Sequence, residues 1–110
     1  MIEWVRVHQL RDEIGEDDFS EVVDLFLAEV EEVATRLRAD PDPARLESDL
    51  HFLKGSAMNL GFAHFSALCQ QGERCAATGR PAEVNLHEIL TGFELSRALF
   101  LAELPSQLAG

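Results

Sequence analysis

Apolar residues recur along this chain at intervals of three and four rather than two, a spacing that predicts helices throughout and no strand. The pattern divides into five segments. The first predicted helix runs from Ile2 to Ile14 and stops at Gly15. The second covers Asp17 to Ala39, with Phe19, Val22, Val23, Phe26, Val30, Val33 and Leu37 on one stripe and acidic residues in its first turn, where they complement the helix dipole. The sequence DPDP, residues 40–43, then breaks the pattern: Asp42 is placed to cap a third helix and Pro43 to occupy its first position. That helix reaches Leu60 and is ended by Gly61, the fourth covers Phe62 to Thr78 with Gly79 beyond it, and the fifth runs from Pro81 to Leu104, before Pro105. Connections this short make successive helices antiparallel neighbours. The predicted fold is therefore all-α: an antiparallel up-down four-helix bundle with an additional N-terminal helix packed across it or at one end.

Within the third helix, HFLKGSAMNLG (residues 51–61) departs from what helix stability alone would select. At 100° per residue, Leu46, Leu50, Leu53, Ala57 and Leu60 fall within about 40° of one direction, which must be the buried face. His51 lies about 120° or more from the middle of that face, and Gly55 follows one turn later on nearly the same side. A glycine in a helix interior costs about 1 kcal/mol relative to alanine. Its presence implies a requirement other than stability, namely room for another molecule to approach the imidazole.

The 110 residues suffice for one domain with one core, spanning residues 1–110. Hydrophobic residues make up 46% and charged residues 26%, a globular balance, and no run approaches the roughly 20 apolar residues that span a bilayer. The start, MIEWVRVHQLRDEIG, lacks a basic region followed by an apolar run, so a cytoplasmic location is expected. A net charge of −11 with no lysine or arginine cluster disfavours nucleic acid and anionic membrane surfaces as partners. Cys69 and Cys75, six apart on one predicted helix, would have Cα atoms roughly 9 Å apart, too far for a disulfide.

Chemistry concentrates at His51. Histidine exchanges protons near neutrality and its neutral ring has a nitrogen able to attack an electrophile. Lys54 is a neighbour on the helix surface and carries a compact positive charge suited to a phosphoryl oxygen. With Gly55 leaving access, the three make a phosphoryl acceptor that another protein must reach. A metal centre shared by Glu47 and His51 is a poorer fit, because the chain has no Glu-x-x-His pair and no closely spaced zinc-ligand pair. His8, His64 and His87 lack such company and are expected at the surface or core edge, whereas Met58, on the His51 side, suits either a docking surface or core filling.

The motif His51-Phe52-Leu53-Lys54-Gly55-Ser56, closed by Gly61, resembles the signature of histidine-containing phosphotransfer (HPt) domains, and FLAEVEEVATRL (26–37) and ALCQQGERCAATG (67–79) extend the likeness over residues 19–80. The resemblance implies a monomeric four-helix bundle that carries phosphoryl groups on His51 to and from receiver-domain aspartates of response regulators. A hybrid sensor histidine kinase is the implied partner upstream. It implies no ATP site, no cofactor of the chain's own, and Mg²⁺ supplied by the receiver. In the family a Gln or Glu on the following helix often hydrogen-bonds the second ring nitrogen; Glu73 holds that place here, preceded by Gly72 where leucine is more usual. Such a bond would fix the tautomer and leave the distal nitrogen as nucleophile. The alternative is a helical adaptor that binds a signalling partner without chemistry at His51. A sensor-kinase dimerisation helix fits less well, since Phe52 rather than an acidic residue follows the histidine.

Overall fold

The computed structural model describes residues 1–109 and shows five α-helices: α1 (Trp4–Ile14), α2 (Glu16–Ala39), α3 (Leu46–Asn59), α4 (Ala63–Ala77) and α5 (Leu86–Ala109). The molecule is elongated, 45 × 21 × 21 Å, because α2 and α5, 24 residues each, are far longer than α3 and α4. The predicted α3 face is fully buried: Leu46, Leu50, Leu53, Ala57 and Leu60 are each no more than 3% exposed. Phe19, Val23, Val30, Ala34 and Leu37 come from α2, Phe65 and Cys69 from α4, and Phe93 and Phe100 from α5 to complete the core.

Ion pairs mark how the long helices meet. Arg38, near the end of α2, pairs with Glu94 near the start of α5, and Glu31, two turns earlier on α2, takes Arg97 at 2.6 Å. That order shows that α2 and α5 run antiparallel. From α2 to α3, Arg36 holds Asp49 with both terminal nitrogens, at 2.7 and 2.9 Å. Asp49 is buried, so this bidentate bond satisfies a carboxylate that would otherwise be desolvated without compensation.

The N-terminal helix packs at one end, as the pattern allowed, but starts later than expected. Residues 1–3 are extended and pair with the turn between α3 and α4: Glu3 N donates to the Gly61 carbonyl at 2.7 Å and Ala63 N to the Met1 carbonyl at 3.1 Å, around an isolated bridge between Ile2 and Phe62. Gly61 has φ +73°, and a Cβ there would stand 2.6 Å from the Glu3 carbonyl oxygen. Glycine is thus required twice over, for its left-handed backbone and for the close approach. The stack of Trp4 on Phe100, with ring centroids 5.5 Å apart, closes the same end, and Trp4 Nε1 donates to Glu103 Oε2 at 3.2 Å.

Two other boundaries differ from the sequence pattern. Pro43 does not open α3. Asp42 instead caps a turn over residues 43–45, its Oδ1 accepting from Ala44 N at 3.0 Å, and the helix begins at Leu46. Likewise Pro81 begins a short 3₁₀ turn, Pro81–Glu83, and α5 starts at Leu86, where Asn85 Oδ1 accepts from Glu88 N at 3.1 Å as an N-cap. Nor does Pro105 end α5, which continues to Ala109. Leu101, whose carbonyl the proline leaves without its helical donor, and Pro105 itself lie on the exposed side, where water can take that carbonyl. Leu104 and Leu108 pack on the core and hold the last turns.

Candidate functional site

The buried face of α3 dictates where its other residues go. With Leu50 and Leu53 in the core, His51 projects outward and its side chain is 69% exposed. Its Nδ1 lies 2.8 Å from Glu73 Oε1, on α4. Lys54, one turn on from His51, reaches the other oxygen of the same carboxylate, with Nζ 2.7 Å from Oε2. Oε2 is shut off from solvent and, among the described residues, accepts no further hydrogen bond, so the ammonium compensates it. One carboxylate thereby ties both members of the α3 pair.

The electrostatics follow from that sharing. Lys54 foremost, and the hydrogen bond from His51 after it, hold the Glu73 carboxyl below the usual carboxylate range against the opposing effect of burial. An ionised carboxylate can only accept, so Nδ1 of His51 must carry the proton in this contact. Nε2 is then the ring nitrogen with a free lone pair, and no hydrogen bond reaches it among the described residues. Beneath the pair lies Cys69, fully buried; burial first, and the Glu73 carboxylate second, push its thiol up to about 12.

Lys54 is only 23% exposed, because its side chain crosses to α4. At Gly55 a Cβ would have nothing within 4 Å. Met58 is exposed rather than core, at 59%. It lines a shallow groove with Val5 and Gln9 of α1 and with Ala63, Ala67 and Gln70 of α4. Val5 had escaped notice in the sequence, although an apolar residue off the Val7–Leu10 face of α1 was a usable signal. His64 and His87 are exposed and His8 half-buried, and none of the three makes a hydrogen bond or ion pair among the described residues.

Gly72 explains how the carboxylate reaches so far. A Cβ at this position would stand 2.9 Å from Ile89 Cδ1, 3.0 Å from Leu50 Cδ1 and 3.3 Å from Val84 Cγ1. The absent side chain lets α4 sit close on α3 next to Glu73, directly beside the residue pair 50–51.

Comparison with known families matches residues 21–109 to the Hpt domain model. The chain belongs to the Hpt domain family. No curated protein and no solved structure gives a significant match. Hpt domains are helical bundles that carry phosphoryl groups on histidine in two-component signalling and work with response-regulator receivers. The matched region contains α3 and α4 with His51, Lys54 and Glu73, while α1 lies before it. As in other Hpt domains the described chain is all helical, and none of its helices is long and apolar enough to cross a membrane.

Proposed function

We propose that residues 1–110 act as one phosphorelay intermediate: Nε2 of His51 accepts a phosphoryl group from the phosphoaspartate of one receiver domain and delivers it to the aspartate of another. A hybrid sensor histidine kinase would feed the relay and a response regulator would drain it, both in the cytoplasm, with the chain acting as a monomer. The observation carrying this reading is the His51 ring, 69% exposed, with Nδ1 engaged by Glu73 and Nε2 left open. In the forward step the Nε2 lone pair forms an N–P bond as the acyl phosphate P–O bond breaks, and the receiver keeps the carboxylate.

Each remaining residue has a part. Glu73 aims the ring and fixes its tautomer. Lys54 places positive charge beside the ring, where it supports the arriving phosphoryl group and keeps Glu73 ionised. Gly55 leaves the approach clear, and the groove at Met58 and Val5 receives an apolar face of the receiver. The chain is a carrier rather than an enzyme: ATP chemistry belongs to the kinase and Mg²⁺ to the receiver, which has the phosphorylated carboxylate to be neutralised.

Incubation with a phosphorylated receiver domain tests the proposal. Acid-labile, base-stable phosphate is expected on this protein, and His51→Gln should fold normally and carry none. Label retained in that variant, or mapped to His8, His64 or His87, would overturn the assignment.

A further inference from the structure

The proposed forward step leaves a question of protons. Once phosphorylated at Nε2, the ring carries a positive charge as long as Nδ1 keeps its hydrogen. When the phosphoryl group departs to an aspartate, the N–P bond breaks and its electron pair returns to Nε2. The leaving group is then a neutral imidazole if Nδ1 is protonated, but an imidazolate, a far poorer leaving group, if it is not. The state of Nδ1 therefore decides whether the phosphoryl group can leave.

We propose that Glu73 controls this state: its carboxylate keeps the Nδ1 proton on phosphorylated His51, so that delivery proceeds from a protonated ring. The inference rests on the reading of His51 as acceptor and goes further, because it gives the acidic residue a task that a neutral glutamine could not perform equally. A glutamine carbonyl could accept the same hydrogen bond and fix the same tautomer. Only a carboxylate adds a full negative charge 2.8 Å from the ring nitrogen that must stay protonated.

The surroundings support that division. Glu73 is the charged group facing the ring from α4; from α3, Glu47 lines the same recess and Lys54 stands one turn on. Lys54 would by itself discourage a second positive charge nearby, but its ammonium is engaged on Oε2, leaving Oε1 to the imidazole. The two oxygens thus do separate work: one holds the carboxylate ionised and oriented, the other holds the proton. The ion pair with Lys54 at 2.7 Å keeps the buried Oε2 from turning out into water.

Phosphoramidate, a small-molecule phosphoryl donor, permits a test without any partner. The intact chain, Glu73→Gln and Glu47→Gln would be phosphorylated, and the ¹⁵N resonances of the His51 ring followed against pH. In Glu73→Gln the pH at which phosphorylated His51 loses its Nδ1 proton should fall by about one to three units. Delivery to a receiver should fall off at correspondingly lower pH in that variant. An unchanged midpoint in Glu73→Gln, with His51 phosphorylated, would overturn this inference and leave the acceptor assignment standing. An equal shift in Glu47→Gln would also overturn it, by tracing the effect to diffuse local charge. Absence of phosphoryl on His51 in every sample would instead defeat the acceptor assignment itself.

Discussion

Gly72 of α4 and Leu50 of α3 are in contact through an absent side chain: a Cβ on residue 72 would come within 3.0 Å of Leu50 Cδ1. The next residue on each helix belongs to the site, Glu73 on one and His51 on the other. The spacing that Gly72 permits is therefore the spacing across which the carboxylate meets the imidazole.

Substitutions at Gly72 should separate stability from transfer. The nearest atoms are ends of flexible side chains, Ile89 Cδ1 and Leu50 Cδ1, which can give way by a few tenths of an ångström. Gly72→Ala should consequently be close to neutral, the crowding offset by up to about 1 kcal/mol of helix propensity. Gly72→Leu cannot be absorbed so easily and should cost about 1–3 kcal/mol by overpacking. It should also lengthen the contact between Glu73 and His51 and slow phosphoryl transfer. Denaturant unfolding and transfer assays on the two variants check this; equal transfer rates for both would show that helix spacing does not set the site.

Gly55 should behave in the opposite way. A Cβ there meets nothing within 4 Å, so Gly55→Ala should stabilise the protein by up to about 1 kcal/mol with little effect on transfer. Gly55→Gln would retain most of that gain, yet hang a long side chain one turn from His51. Transfer from a receiver should drop while chemical phosphorylation by phosphoramidate, a much smaller donor, persists. Loss of both would mean that the substitution disturbs the imidazole itself rather than the docking surface.

The Glu73 carboxyl supplies a pH signature for folding. It is held below the usual carboxylate value of 4.5, by Lys54 first, so its contribution to stability is complete above that value and disappears as pH falls through its lower native value. Glu73→Gln should therefore be less stable than the parent chain at neutral pH, with the difference shrinking below about pH 4.5. Thermal unfolding of both proteins across the acid range checks the sign. A difference that grew with acidity would place the stabilising charge elsewhere.

The two thiols should differ sharply in reactivity. Cys69 is buried, and its thiol is pushed up to about 12, so thiolate is scarce at any ordinary pH. Cys75 is half-buried, its Sγ donating to the Arg80 carbonyl at 3.2 Å. Alkylation by iodoacetamide at pH 8 should modify Cys75 well before Cys69 in the folded protein, and peptide mapping would reveal the order. Comparable rates at both would contradict the packing of α4.

The sequence made the α3 geometry legible because one rule governed it. Five apolar residues define the buried face of α3, and the angle of His51 from that face follows from helix periodicity alone; all five are buried and His51 is exposed. What periodicity could not supply were events between chain segments. The pairing of residues 1–3 with the turn at Gly61 overrides a helical start at Ile2, since the turn offers backbone partners across sixty residues of sequence. Pro105 reads locally as a stop, yet Leu104 and Leu108 find the core and carry α5 past it. The role of Lys54 beside His51 was legible from its spacing, but its ion pair with Glu73 was not, because that partner lies on another helix. The Arg36 to Asp49 bond was hidden for the same reason, and it anchors α3 two residues before the histidine.

The α1 helix stands outside the region that matches the family, yet its Val5 and Gln9 form one wall of the groove whose other walls carry Met58, Ala63 and Ala67. It is fastened there by backbone pairing at Gly61 and by the Trp4 stack, neither of which touches His51, Lys54 or Glu73. On the proposed function, recognition and reaction are thereby written in different parts of the chain. That proposal implies that a lineage could exchange Val5 or Gln9, and with them its partners, while His51, Lys54 and Glu73 stayed as they are.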